Sequence, residues 1–126
     1  MVLAVGPLVY EAFQVSAQLK EEGWDVGVTD LVSVKPLDQA YLNDLKETNV
    51  LWVTLEDNTL IGGLGSALLE WQSQSQAPVT IERIGLPDQF IQQGSQKELR
   101  TLYGLGGEKL AEALRESLKR SERHHA

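Results

Sequence analysis

Cysteine is absent from this chain of 126 residues. Disulfides, thiolate catalysis and cysteine metal sites are thereby excluded, and a small disulfide-stapled secreted scaffold loses its main support. Histidine is nearly missing as well: the only two, His124 and His125, stand at the end of the chain. The body of the protein therefore offers no imidazole to act as a general base or to ligate a metal. A chain end of that composition usually frays, so the pair reads as solvated. Positive charge is in short supply, with 11 Lys and Arg against 18 Asp and Glu and a net charge of −7. That balance argues against sequence-independent binding to nucleic acid or to an anionic membrane. No run approaches the ~20 consecutive apolar residues that span a bilayer. Val2 to Gly6 is apolar, but it lacks a basic leader and is too short for a signal peptide. The expected location is the cytoplasm.

What is present is an ordinary globular balance, 42% apolar and 23% charged, in a length that fits one domain. Val2 to Val5 is a continuous apolar run ending at Gly6-Pro7, as in a strand buried on both faces. Leu8, Ala12, Val15 and Leu19 follow as one helical stripe, which Gly23 stops. Asp25 to Asp30 alternates polar and apolar residues and reads as a second, less buried strand. After the turn at Val34 to Asp38, Asp38 is placed to cap a helix carrying Leu42 and Leu45. Val50 to Leu55 is rich in β-branched and aromatic residues and predicts a third strand. A polar segment, Glu56-Asp57-Asn58, then leads to Gly62-Gly63-Leu64-Gly65-Ser66 and a helix carrying Leu64, Ala67, Leu68 and Trp71.

Ser73 to Gln76 reads as a polar break, Val79 to Ile84 as a fourth strand, and Gly85 to Asp88 as a turn. Ser95 and Glu98 have capping-box spacing. Leu99 and Leu102 are expected to face inward, and Gly104 to Gly107 to end that helix. Leu110, Ala113, Leu114 and Leu118 line the last one, with 119–126 as a polar tail whose Lys119, Arg120 and Arg123 favour the helix dipole. Strands that alternate with helices predict an α/β three-layer sandwich over residues 1–118. Its mostly parallel sheet of four to five strands carries helices on both faces.

The motifs that could carry chemistry are incomplete. Gly62-Gly63-Leu64-Gly65 opens a helix after a strand, where an anion could sit. Counting from Gly63 and Gly65, the third glycine of a dinucleotide fingerprint is replaced by Leu68, and no lysine follows as in a phosphate loop. A tight turn with close backbone packing is the simpler reading. Ser66 lies outside the nucleophile-elbow pattern and has no body histidine to take its proton. Glu56 and Asp57 form an adjacent acidic pair, as a general acid/base or Mg²⁺ ligands would, but on an extended segment their side chains point apart, which hinders joint action. Trp24, Trp52 and Trp71 supply most of the aromatic mass, Trp52 and Trp71 as core or interface anchors. Phe90-Ile91 follows a Pro-Asp turn and is either an exposed docking point or local core. No catalytic, cofactor-binding or metal residue is expected.

Three stretches also resemble a known family. VLAVGPLVYEA at 2–12 with VTDLVSVKPLD at 28–38, and VTLEDNTLIGGLGSALLE at 53–70, resemble the C-terminal domain shared by the transketolase superfamily. The acidic turn reads Glu56-Asp57-Asn58 where a second glutamate is usual after the first, a mild departure. IGLPDQFIQQGSQKEL at 84–99 and Tyr103-Gly104-Leu105 are similar to the 1-deoxy-D-xylulose-5-phosphate synthases in particular. That family condenses pyruvate with glyceraldehyde 3-phosphate on thiamine diphosphate and Mg²⁺, for isoprenoid, thiamine and pyridoxal synthesis. The resemblance implies that those groups bind two other domains. It implies for this one a packing role with the others and in a homodimer, the candidate interface being Gly62, Gly63, Leu64, Trp71, Phe90 and Ile91. Met1 directly before the first strand fits a separately produced domain, excised or from a split gene. A stand-alone binding module and the C-terminal domain of a pyruvate-dehydrogenase beta-type subunit are the alternatives.

Overall fold

Buried apolar stripes on both faces of a parallel sheet organise the chain in this computed structural model, which describes residues 1–125. In order the elements are β1 (Val2–Ala4), α1 (Leu8–Glu21), β2 (Val28–Asp30), α2 (Gln39–Thr48), β3 (Leu51–Thr59), α3 (Leu64–Ser75), β4 (Thr80–Leu86), α4 (Gln96–Leu102) and α5 (Gly107–His125). The four strands lie in the order β2-β1-β3-β4, all parallel. The expected α/β sandwich is the fold observed, with four strands in its sheet. From β1 the chain steps to one side to form β2, then crosses back to place β3 on the other side. That reversal puts α1 on one face of the sheet and α2 and α3 on the other.

Strand alternation divides the core accordingly. Val2, Ala4, Leu51, Val53 and Leu55 face a layer built by the Leu8, Ala12, Val15, Leu19 stripe of α1 and by Leu110, Ala111 and Leu114 of α5. Leu3 and Trp52 face the other layer, with Leu42 and Leu45 of α2 and Leu64, Leu68 and Trp71 of α3. Asp38 caps α2 by accepting from the Tyr41 N–H at 3.1 Å. Ser95 and Glu98 form the capping box of α4.

Several expectations need correction. β3 continues through Glu56-Asp57-Asn58 to Thr59, because a bulge between Leu55 and Thr59 lets the strand rejoin β4 at Leu86. β4 likewise absorbs Gly85 and Leu86, which the sequence places in a turn. Ser73 to Ser75 belong to α3, which ends at Gln76 in the left-handed region. Leu102 is exposed and α4 buries no residue, so its apolar spacing has no partner layer. Residues 119–125 extend α5 instead of forming a separate tail: Arg120 reaches Glu82 of β4 at 2.8 Å, and only Ala126 lies outside the described residues.

Candidate functional site

The carboxyl ends of β1 and β3 flank the point where the strand order reverses, the usual location of a binding crevice in an open parallel sheet. An open crevice of about 420 Å³ lies there, lined in part by Val5, Pro7, Val34, Asp57, Asn58 and Gly63. Its floor is governed by Glu56. Residues 52, 54 and 56 share the α3 face of β3 through strand alternation, which carries the Glu56 side chain under the start of α3. The carboxylate is 1% exposed; Oε1 accepts from the Leu64 N–H at 3.0 Å and Oε2 from the Gly65 N–H at 2.8 Å. An anion does occupy this helix N-terminus, and it is the chain's own. The two amides that a phosphate would take are already satisfied, and the helix dipole is compensated from within.

This arrangement explains the glycines. A Cβ on Gly63, the N-cap residue, would overlap Glu56 Oε1. One on Gly65 would stand 2.6 Å from Arg83 Cδ and 3.1 Å from Thr54 Oγ1. The tight-turn reading of Gly62 to Gly65 thus holds, for a reason that required the fold. Ser66 Oγ donates to the Leu60 carbonyl at 3.2 Å and accepts from the Gly62 N–H at 3.1 Å, so it holds the loop. Asp57 points away from Glu56 and pairs with Arg100 of α4 at 2.6 Å. Thr54 Oγ1 is buried without a hydrogen-bond partner among the described residues. Among those residues no three metal-ligating side chains converge. The arrangement positions a helix and two loops, with Glu56 bound to the α3 amides and Asp57 paired with Arg100.

The six candidate interface residues separate. Gly62 is exposed at φ +79°, Gly63 is half-buried beside it, Phe90 is wholly exposed and Ile91 half-buried. Leu64 and Trp71 are spent in the core instead, at 2% and 6% exposure, and Trp71 stacks on Trp52 with centroids 5.4 Å apart. Their helical spacing marked a buried face without showing which partner buries it. The sequence reading missed Glu56 as a buried cap, although an acidic residue shortly before a glycine-opened helix is the available signal. It also missed Ile61 and Val32, which are exposed despite lying in apolar surroundings in sequence.

A four-stranded parallel sheet between helical layers, with the amides at the start of α3 taken by Glu56, defines an α/β sandwich domain. Residues 1–110 match the family model described as "Transketolase, C-terminal domain", and the chain belongs to that family. It is 40% identical over 119 residues to the 1-deoxy-D-xylulose-5-phosphate synthase of Aquifex aeolicus, covering 94% of this chain and 19% of the relative. It is 42% identical over 116 residues to the synthase of Syntrophotalea carbinolica, covering 91% of this chain and 18% of that protein. Among solved structures, one described as "Split gene transketolase, inactive beta4 tetramer" matches with a TM-score of 0.81 and 30% identity. That match covers 94% of this chain and 37% of the other. The chain thus spans about a fifth of the length of these curated relatives.

Proposed function

We propose that this chain serves as the C-terminal domain of a 1-deoxy-D-xylulose-5-phosphate synthase, contributing assembly and no catalytic group. The observation that carries the reading is the match of nearly the whole chain to synthases at about 40% identity. In such an enzyme pyruvate and glyceraldehyde 3-phosphate are joined on thiamine diphosphate and Mg²⁺, in the cytoplasm, by a homodimer whose other two domains hold the cofactor. The residues here do not fit thiamine diphosphate. The α3 N-terminus that could cradle a diphosphate is filled by Glu56, and Asp57, the adjacent carboxylate, is tied to Arg100. No chemical step is therefore assigned to this chain.

The test is complementation. The chain is mixed with a separately produced polypeptide carrying the two other synthase domains, and formation of 1-deoxy-D-xylulose 5-phosphate is followed. Activity is expected in the mixture and in neither component alone. Calorimetry on this chain alone is expected to show no uptake of thiamine diphosphate; micromolar binding would refute the reading.

A further inference from the structure

Because the four strands are parallel, the loops that follow β2, β3 and β4 all emerge at the same end of the sheet. Each loop presents one large apolar side chain to solvent: Val32 at 91% exposure, Ile61 at 67% and Phe90 at 103%. Leu60 donates its N–H to the Leu86 carbonyl at 3.0 Å, so the Ile61 loop begins beside the Pro87 to Phe90 loop. Leu31 to Val34, Asn58 to Ser66 and Gln89 to Gln96 contain no ionisable side chain, and Asp30, Lys35, Asp57, Asp88 and Lys97 flank them. Charge depletion around exposed aromatic and aliphatic groups is the composition of a protein interface core, and not of a nucleic-acid or anionic-lipid surface.

The Ile61 loop is also held in place without help from the Ile61 side chain. Thr59 Oγ1 donates to the Ile61 carbonyl at 3.1 Å, and the Leu60 carbonyl accepts both from Ser66 Oγ at 3.2 Å and from Arg83 at 3.1 Å. Asp57 and Arg100 tie the far end of the Phe90 loop, through α4, back to β3. Rigid presentation of an exposed apolar group lowers the ordering cost of docking, as expected for an interface anchor.

We infer that the carboxyl-end face centred on Val32, Ile61 and Phe90 is the surface by which this domain docks on the remaining polypeptide of its synthase. The inference rests on the function proposed above and adds the face and its anchors. The occupant follows from length: the matched relatives carry about four-fifths of their chain outside the region aligned here. An uncharged, apolar surface on those domains is the complement that the face fits.

Hydrogen–deuterium exchange on a chimera tests this. This chain replaces the aligned C-terminal region of the Aquifex aeolicus synthase, and the amides of 59–63 and 88–92 are compared with those of the isolated chain. Exchange there is expected to slow at least tenfold in the chimera. The double substitution Ile61→Glu with Phe90→Glu is expected to abolish that slowing, while the isolated double variant keeps its circular-dichroism spectrum and melting cooperativity. Val50→Glu, at the opposite end of the sheet, is expected to leave it unchanged. An active chimera in which both segments exchange as in the isolated chain overturns the docking face and leaves the functional reading standing. An inactive chimera with unprotected segments overturns both. Protection that appears in the isolated chain together with a dimer in sedimentation makes a second copy the occupant, and likewise overturns the inference.

Discussion

Glu56→Gln isolates the charge at the heart of the site. The carboxylate accepts two backbone N–H groups at 3.0 and 2.8 Å in a setting where 1% of the residue is exposed. Glutamine is nearly isosteric, so packing is conserved. Its Oε1 can keep one of the two bonds, but its amide turns a donor toward the other N–H. A hydrogen bond to a charged group contributes roughly 1.5–3 kcal/mol, and losing the anion at the dipole removes up to ~2 kcal/mol more. Cheaper burial of a neutral amide offsets part of this, leaving a net loss of about 2 kcal/mol. For a domain of this size that corresponds to a fall in Tm of roughly 8 °C. Thermal unfolding followed by far-ultraviolet circular dichroism reads it directly, with Asp57→Asn as the exposed control, expected to cost about 0–1 kcal/mol. A Glu56→Gln melting point within a degree of the parent would show that the carboxylate does not hold α3 in solution.

Gly63→Ala is expected to displace the same carboxylate by direct overlap and to cost about 2–4 kcal/mol. Gly62→Ala has open space but φ +79°, so it should cost only about 1–2 kcal/mol; equal losses by chemical denaturation would contradict the steric account. Thr54→Val replaces an unpartnered buried hydroxyl by a methyl group of similar shape, and a gain of about 1 kcal/mol is expected in urea unfolding. Arg115 donates to both Glu22 and Glu108, at 2.6 and 2.8 Å. The Arg115 hydrogen bond holds the Glu22 carboxyl below the usual range, and bonds from Gln18 and Arg115 do so for Glu108. Both groups are lowered, so their contribution is complete above the ordinary carboxylate pKa and is lost as pH falls through the depressed values. Arg115→Gln should flatten the acid limb of a stability-versus-pH curve, and an unchanged limb would exclude this pair as its source.

Much of the architecture was legible because it rests on local periodicity. The Leu8, Ala12, Val15, Leu19 stripe, the Asp38 cap and the Ser95–Glu98 box each depend on residues within a few positions of one another, and each is found as read. The alternation of elements was enough to predict a parallel sandwich, and the quoted stretches were enough to point to the family. The failures share a cause. Leu99 and Leu102 carry helical spacing, but whether a stripe is buried depends on a neighbouring layer that α4 lacks. Trp71 could be core or interface until β3 placed Trp52 against it.

The candidate site divides along the same line. Composition alone removed thiol chemistry from the chain and imidazole from its body, and the glycines announced a special turn. Only the tertiary structure decided that Glu56 occupies the α3 N-terminus while Asp57 turns to Arg100, and that Val32, Ile61 and Phe90 share one end of the sheet. A side chain's type and spacing are written in the chain, whereas its partner and its exposure are set by which strands lie side by side.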